Sequence, residues 1–224
     1  MHVNNKLKQS LLLGSIVLCS VPCALFATEV NYKSSHPFYM GMMGGYGSTT
    51  WQGLVPPRNK QAVALLISTP ISVHEGGGIW GYFIGYDVIP HFALEASYMH
   101  YPNAKVTFDP TSLVAFENDG LTNLNTSTES VSLMAKFKVT IPYIEVKAFS
   151  STGAARVHRK DVLKECWRIS PTFSVGFDYD FTDHMMGEIG FNYTGGYGES
   201  ELDPAEDYVP FLYSGYIRLA YRLG

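Results

Sequence analysis

The sequence predicts an all-β protein: an eight-stranded antiparallel up-and-down β-barrel that crosses a membrane. Three observations favour this fold. Apolar and polar residues alternate along several segments, the apolar rows are rich in aromatic residues, and short and long connections alternate along the chain. A period of two is typical of strands whose two faces meet different surroundings. Rows of about ten residues also match the length of a transmembrane β-strand.

Residues 1–27 have the parts of a secretory signal peptide. Lys6 and Lys8 are basic, residues 11–21 are apolar, and Ala27 is a small residue before a cleavage point. The alternative is a retained membrane anchor, but the apolar stretch is short for a membrane span. We therefore expect cleavage of residues 1–27 and a mature barrel domain at 28–224. That domain would hold 14 basic and 20 acidic residues, a net charge of −6 that argues against a nucleic-acid binder.

The alternation is clearest in ISPTFSVGFDYDF, residues 169–181, and in the last strand, residues 213–224. In the last strand Ile217 and Leu219 lie on one face, and Arg218 and Arg222 on the other. Six further strands are predicted roughly at 38–50, 79–88, 92–101, 130–141, 144–157 and 185–197.

The connections have two lengths. Short turns with Pro or Asp are predicted at 87–91, 140–143 and 180–184. Long polar loops are predicted at 51–78, 102–129, 158–168 and 198–209. This alternation indicates a meander with tight turns at one end and extended loops at the other. An alternative with ten strands adds residues 62–67 and 112–117. In that version the 87–91 turn would lie at the end of the barrel that carries the long loops.

The residue composition of the two rows indicates which face of the sheet meets lipid. Charged residues make up 16% of the chain, below the globular average of about 25%. A soluble sandwich would carry a densely charged outer face, whereas the polar rows here consist mostly of Ser, Thr, Gly and Asn. We expect the apolar rows to face lipid and the polar rows to face the interior. The sheet must then close, because an open edge in hydrocarbon would leave backbone groups unpaired.

The chain resembles the transmembrane-barrel domain of the outer membrane protein A family of Gram-negative bacteria. The residues that carry the resemblance are FYMGMMGGYG (38–47), GYFIGYDVIPHFALEASYMHY (81–101), VGFDYDFTDHMMGEIGFNYTGG (175–196) and the final LAYRLG. The resemblance covers the barrel domain only and implies an outer-membrane location with both termini in the periplasm. It also implies inward acidic residues soon after the short turns, as Glu95 and Glu188 would be.

Charged residues on the inward rows form the candidate site. Eight strands enclose an interior only wide enough for side chains to fill, and a buried charge without a partner is costly. We therefore expect a network that plugs the lumen, with Glu188 opposite Arg218. Its predicted members are four acids and five bases: Glu95, Glu145, Asp178, Glu188, Lys136, Lys138, Lys147, Arg218 and Arg222.

The predicted function is structural or surface interaction: envelope integrity, and contact of the long loops with partners. A narrow porin-like diffusion channel is the alternative, and a lipid-modifying barrel enzyme with His100 at the outer rim is a third class. We expect no enzyme activity and no cofactor. No metal site is expected either, because the seven histidines lack HxxxH or His–Cys spacing.

The expected partners are outer-membrane lipid and lipopolysaccharide, the barrel-assembly machinery during insertion, and an extracellular partner reached through the long loops. The protein is expected to be a monomer. The 158–168 loop is basic and the 198–209 loop is acidic. The first could bind lipopolysaccharide phosphates, and the second could bind calcium, although it lacks the D-x-D-x-D-G pattern. The plainer interpretation is that the two loops attract one another.

Overall fold

The computed structural model describes residues 36–55, 69–197 and 208–223. Within these ranges the chain forms ten strands and one short α-helix. The strands are β1 (Phe38–Thr49), β2 (Ser72–His74), β3 (Gly77–Ile89), β4 (Phe92–His100), β5 (Ala104–Thr107), β6 (Asn123–Thr140), β7 (Lys147–Lys160), β8 (Glu165–Asp180), β9 (Met185–Thr194) and β10 (Leu212–Leu223), and the helix is α1 (Leu113–Glu117). A turn of 3₁₀ helix occupies Trp51–Leu54. The predicted signal peptide lies outside the described residues.

Eight of the strands described here close into a barrel. Their order is β6-β4-β3-β1-β10-β9-β8-β7, and pairing of β7 with β6 closes the ring. Every pair in the ring is antiparallel. The two remaining strands, β2 and β5, pair with each other, and β5 pairs with the far part of β6. The predicted eight-stranded barrel is therefore confirmed, with a small sheet extension above one side.

The two ends of the barrel differ. At one end β3–β4, β6–β7 and β8–β9 are joined by the short connections 90–91, 141–146 and 181–184. We call this the short-turn end and the opposite end the long-loop end. Phe38 and Leu223 are paired at the short-turn end, so β1 begins there and β10 ends there.

The prediction of a long loop is wrong for one connection, and one element of the ten-strand alternative is also wrong. The segment 158–168 is not a long loop, because β7 and β8 stay paired up to Lys160 and Glu165 and a four-residue loop joins them. Residues 112–117 do not form a strand: Ser112 accepts a hydrogen bond from the Ala115 amide and caps the helix α1. The apolar segment 62–67 and the acidic segment 198–207 lie outside the described residues.

The outer surface of the barrel is apolar. On β10 the outward residues Ile217 and Leu219 are 62% and 56% exposed, whereas the inward Arg218 is 1% exposed. The outward faces of the other wall strands carry similar residues, including Phe173, Val175 and Phe177 on β8. An apolar outer face with aromatic residues near both ends is the surface of a transmembrane barrel. In the described part of the chain, no helix has the length and apolar character needed to span a membrane.

Phe177→Arg tests this orientation. Phe177 lies on the lipid side of β8 between Ala148 and Ile189, so an arginine there should lower the free energy of unfolding by about 2–4 kcal/mol. The control is Phe181→Arg just beyond the end of β8, which should cost about 0–1 kcal/mol because the charge reaches the interface. Chemical unfolding of the protein in lipid vesicles measures both values. Equal costs for the two variants would contradict the assigned lipid face.

Candidate functional site in the barrel lumen and above it

Five charged residues contact one another in the middle of the lumen. This central ion cluster consists of Glu95 on β4, Lys136 on β6, Asp178 on β8, Glu188 on β9 and Arg218 on β10. Arg218 Nη1 lies 3.0 Å from Glu95 Oε2 and 3.1 Å from Glu188 Oε1. Lys136 Nζ contacts Glu188 Oε2 and lies 3.1 Å from Glu95 Oε1 and 3.6 Å from Asp178 Oδ2. Two cations thus hold three carboxylates together.

A second group lies nearer the short-turn end. This turn-side ion cluster consists of Asp87, Lys138, Lys147, Asp180 and Arg222. Arg222 spans it, with Nη1 2.6 Å from Asp87 Oδ2 and Nη2 3.2 Å from Asp180 Oδ1. Lys138 also contacts Asp87, and Lys147 contacts Asp180. In the described lumen the two clusters together balance five acids against five bases.

Eight of the nine predicted network residues lie in these clusters, and one does not. Glu145 is exposed in the 141–146 connection, where its φ of 56° takes the backbone out of the strand before β7 begins. The prediction for Glu145 is therefore wrong. Sequence reasoning also missed Asp87 and Asp180, which were assigned to turns. Extending the alternation to the ends of the strands would have found them. Asp87 lies four residues after the inward Phe83, and Asp180 lies two residues after the inward Asp178, so both are on inward rows.

Aromatic side chains surround the central ion cluster. The Tyr39 hydroxyl donates a hydrogen bond to Glu95 Oε1 at 2.7 Å. The Arg218 guanidinium lies 4.4 Å from the Tyr216 ring and 4.7 Å from the Phe83 ring. Gly85 makes room for this shell, because a Cβ at Gly85 would lie 2.1 Å from the Tyr39 ring. The cations therefore have both carboxylate and aromatic neighbours.

Packed side chains also fill the lumen between the central ion cluster and the long-loop end. Beyond the central ion cluster, Ser174 and the Tyr216 hydroxyl are 2.6 Å apart, and Ser97 and Ser132 are 2.7 Å apart. Further towards the long-loop end the lumen is apolar, with these buried residues: Met43, Ile79, Met99, Tyr101, Val157, Val209 and Leu212. Each described layer of the lumen is thus filled by side chains.

A second apolar core lies above the lumen, at the long-loop end. We call it the cap core; its buried members are Trp51, Ala104, Val106, Phe108, Val114, Leu124 and Tyr208. Trp51 is fully buried and packs edge-on against Tyr208, with ring centroids 4.8 Å apart. The cap core draws on β5, α1, the outer part of β6 and the segments next to β1 and β10. It is a folded structure rather than a set of independent loops.

Buried Arg159 on β7 ties the cap core to the barrel wall. Its Nε lies 2.6 Å from Asp161 Oδ2, and its Nη1 donates to the carbonyl oxygen of Tyr208 at 2.6 Å. The guanidinium also lies 4.7 Å from the Trp51 ring. Arg159 was assigned to a solvated basic loop in the sequence analysis, and its inward burial corrects that assignment.

Glu75 fixes the chain where it leaves β1. Its carboxylate accepts hydrogen bonds from Thr49 Oγ1 at 2.9 Å and from the amides of Trp51 and Gln52 at 2.8 and 3.2 Å. Burial raises the pKa of Glu75 above its usual value, and these hydrogen bonds oppose the rise. The carboxylate therefore holds the 3₁₀ turn that carries Trp51 into the cap core.

Two histidines near the long-loop end contact carboxylates on neighbouring strands. No group of three His, Cys, Asp or Glu residues there is placed to hold a metal ion. His100 lies 3.5 Å from the Glu129 carboxylate rather than beside a serine hydroxyl. His158 contacts Glu165 at 2.9 Å and stacks on Trp167 at 3.8 Å. Both histidines are on the outer surface of the wall, near the long-loop end.

Comparison with known proteins gives weak likenesses. No family model matches the chain. An α-1,4-glucan:maltose-1-phosphate maltosyltransferase of Arcanobacterium haemolyticum is 28% identical over 137 residues, which cover 58% of this chain and 19% of the enzyme. The chain therefore spans about a fifth of that relative.

Three solved structures with weak similarity are a surface protein, an outer membrane protein and a β-barrel domain. Neisserial surface protein A has a TM-score of 0.49 at 10% identity, covering 83% of this chain and 97% of that chain. The outer membrane protein OprG of Pseudomonas aeruginosa has 0.48 at 10%, covering 84% and 97%. The N-terminal β-barrel domain of OprF from P. aeruginosa has 0.45 at 12%, covering 82% and 97%. The fold itself rests on the closed ring of strand pairings described above.

Arg218→Gln should destabilise the barrel more than Glu188→Gln. Losing Arg218 leaves three buried carboxylates with one lysine and should cost about 3–5 kcal/mol. Losing the Glu188 charge leaves two acids against two bases, so it should cost less. The double variant should be more stable than Arg218→Gln alone, because it removes one unpaired charge.

The matched control is Lys147→Gln in the turn-side ion cluster. Its side chain is 23% exposed, and it should cost about 0–1 kcal/mol. Unfolding free energies in vesicles measure all four variants. A Glu188→Gln cost equal to that of Arg218→Gln would contradict the charge balance described for the central ion cluster.

Proposed function

We propose that this protein is a closed outer-membrane β-barrel with a structural and surface-interaction role. The observation that carries the proposal is the filled lumen. All five residues of the central ion cluster are between 0% and 3% exposed, so these side chains have almost no surface that water can reach. Such a lumen does not support a diffusion channel. The folded structure around the cap core, which we call the cap, offers a surface at the long-loop end.

The proposed orientation follows from the unequal ends of the barrel. Outer-membrane barrels have short periplasmic turns and longer extracellular loops. The short-turn end, and with it both chain termini, would then be periplasmic, and the cap would be extracellular. The proposal includes cleavage of residues 1–27 as a signal peptide before insertion by the barrel-assembly machinery.

The proposed activity of the protein is binding, not catalysis. The cap presents exposed apolar residues, among them Phe116 on α1 at 87% and Val162 in the β7–β8 loop at 79%. In this proposal, such side chains are the contacts that the long-loop end offers to a partner. In this proposal, lipid and lipopolysaccharide surround the barrel wall. The proposed oligomeric state is a monomer, because the closed ring leaves no unpaired strand edge.

Conductance measurements test the closed lumen. The wild-type protein in a planar bilayer should give negligible steady conductance, because charged and aromatic side chains fill the described lumen. The control is Arg218→Ser combined with Lys136→Ser, which removes both central cations and should raise conductance in the protein that still inserts. A large, constantly open wild-type conductance would favour the diffusion channel instead.

Epitope accessibility tests the orientation. A peptide tag inserted at Gly120, in the exposed turn after α1, should bind antibody on intact cells. The matched control is the same tag at Tyr143, which is fully exposed in the 141–146 connection, and it should bind only after permeabilisation. Binding of the Tyr143 tag on intact cells would contradict the proposed orientation.

A further inference from the structure

A polar cleft opens at the long-loop end between the β1–β10 wall and the β2–β5 extension. Its volume is about 630 Å³, and its lining includes Tyr46, Gln52, His74, Asn103, Lys105 and Tyr213. His74 and Lys105 are side by side in the β2–β5 register. Both side chains are exposed. The cleft therefore presents two basic groups together with amide donors.

Glu75 also borders this cleft, but its carboxylate is turned to the protein. Its oxygens accept the hydrogen bonds from Thr49 and from the Trp51 and Gln52 amides. Those contacts occupy both carboxylate oxygens of Glu75, whereas the Lys105 ammonium is exposed at the open face of the cleft. The cleft is thus suited to an anionic ligand that also carries hydroxyl groups.

An apolar groove runs down the outer wall directly below the cleft. Its volume is about 550 Å³, and it crosses the outward faces of β8, β9 and β10, with Phe173, Val175, Phe191, Tyr193 and Gly215 in its lining. Gly215 faces outward between Phe191 on β9 and Tyr46 on β1. Because Gly215 has no side chain, the Phe191 ring lies close over this point, where a Cβ would be 3.2 Å from the ring.

Two tyrosines connect the groove to the cleft. Tyr46 and Tyr213 line both spaces and are 64% and 49% exposed. The Tyr46 hydroxyl points into the cleft beside Gly76, where a Cβ would come within 2.7 Å of it and where φ is +89°. Tyrosines at this level of a barrel mark the boundary between hydrocarbon and headgroups. One amphiphile could therefore occupy both spaces at once.

We propose that the groove and the cleft together bind one glycolipid of the outer leaflet. An acyl chain lies in the groove, and an anionic sugar headgroup lies in the cleft. Lys105 and His74 contact the acidic group, Gln52 and Asn103 contact hydroxyl groups, and the two tyrosines pack against the sugar. A sugar is favoured over a simple phosphate because the cleft is larger than the groove and its lining places amide groups beside the basic ones. This inference rests on the outer-membrane placement proposed above.

Native mass spectrometry of the full-length mature protein in detergent tests the site. The probe is an acylated, phosphorylated glucosamine disaccharide, compared with its deacylated form and with phosphatidylglycerol. We expect one molecule of the acylated probe per barrel. Lys105→Glu and Tyr46→Ala should each weaken its binding by about tenfold or more. The deacylated form and phosphatidylglycerol should bind more weakly than the acylated probe by a similar factor.

Matched controls separate the site from general attraction. Lys160→Glu changes an exposed lysine elsewhere at the long-loop end, and Tyr82→Ala removes another outward tyrosine that is 54% exposed. Both should bind the probe as the wild type does. Each variant is first checked for heat-dependent mobility on SDS gels, and Lys105→Gln replaces Lys105→Glu if the latter does not fold.

Several outcomes would overturn the proposal. Equal weakening by Lys105→Glu and Lys160→Glu would mean unspecific charge attraction. Equal binding of the deacylated form would remove the groove from the site, and equal binding of phosphatidylglycerol would remove the sugar. These outcomes leave the conductance and epitope results unchanged, so failure of this inference is distinguishable from failure of the proposed function.

Discussion

Closure of the sheet is the constraint on which the rest of this structure depends. In hydrocarbon no water is present to bond a free backbone group, so the sheet edges must pair, and β7 pairs with β6 to complete the ring. Closing at eight strands makes the interior narrow enough for side chains to fill. The charged residues on the inward rows are then removed from water and have to find partners within the lumen. The two ion clusters are thus a consequence of ring closure combined with inward charge.

Neither cluster is neutral by itself. In the described lumen the central ion cluster has one more acid than bases, and the turn-side ion cluster has one more base than acids. Asp178 of the central ion cluster is opposite Lys147 of the turn-side ion cluster in the β7–β8 register. An acid of the cluster with excess negative charge is thus next to a base of the cluster with excess positive charge. This arrangement also fixes strand register. A slip of one residue in β10 would turn Arg218 and Arg222 into lipid, while their carboxylate partners stayed inside.

Sequence reasoning reached the barrel because lipid and lumen impose opposite polarity on alternate residues. The same reasoning fails where that contrast ends. Towards the long-loop end, the parts of β6, β7 and β8 that extend beyond the apolar wall meet polar or mixed surroundings on both faces. The sequence analysis therefore assigned these parts to loops. The cap core was missed because Trp51, Val106 and Tyr208 are far apart in the sequence. Glu145 was misplaced for a related reason: it has the parity of Lys147, but the backbone leaves the strand before reaching it.

The extension at the long-loop end joins the cap to the wall through two short strands. Val106 on β5 is buried in the cap core and Val73 on β2 packs against it, and His74, Lys105 and Val73 line the cleft. A molecule bound in the cleft would therefore contact the same two short strands that border the cap core. In the two proposals, a lipid held at the wall and a partner met at the surface would both contact the region of these two short strands, without any passage through the lumen.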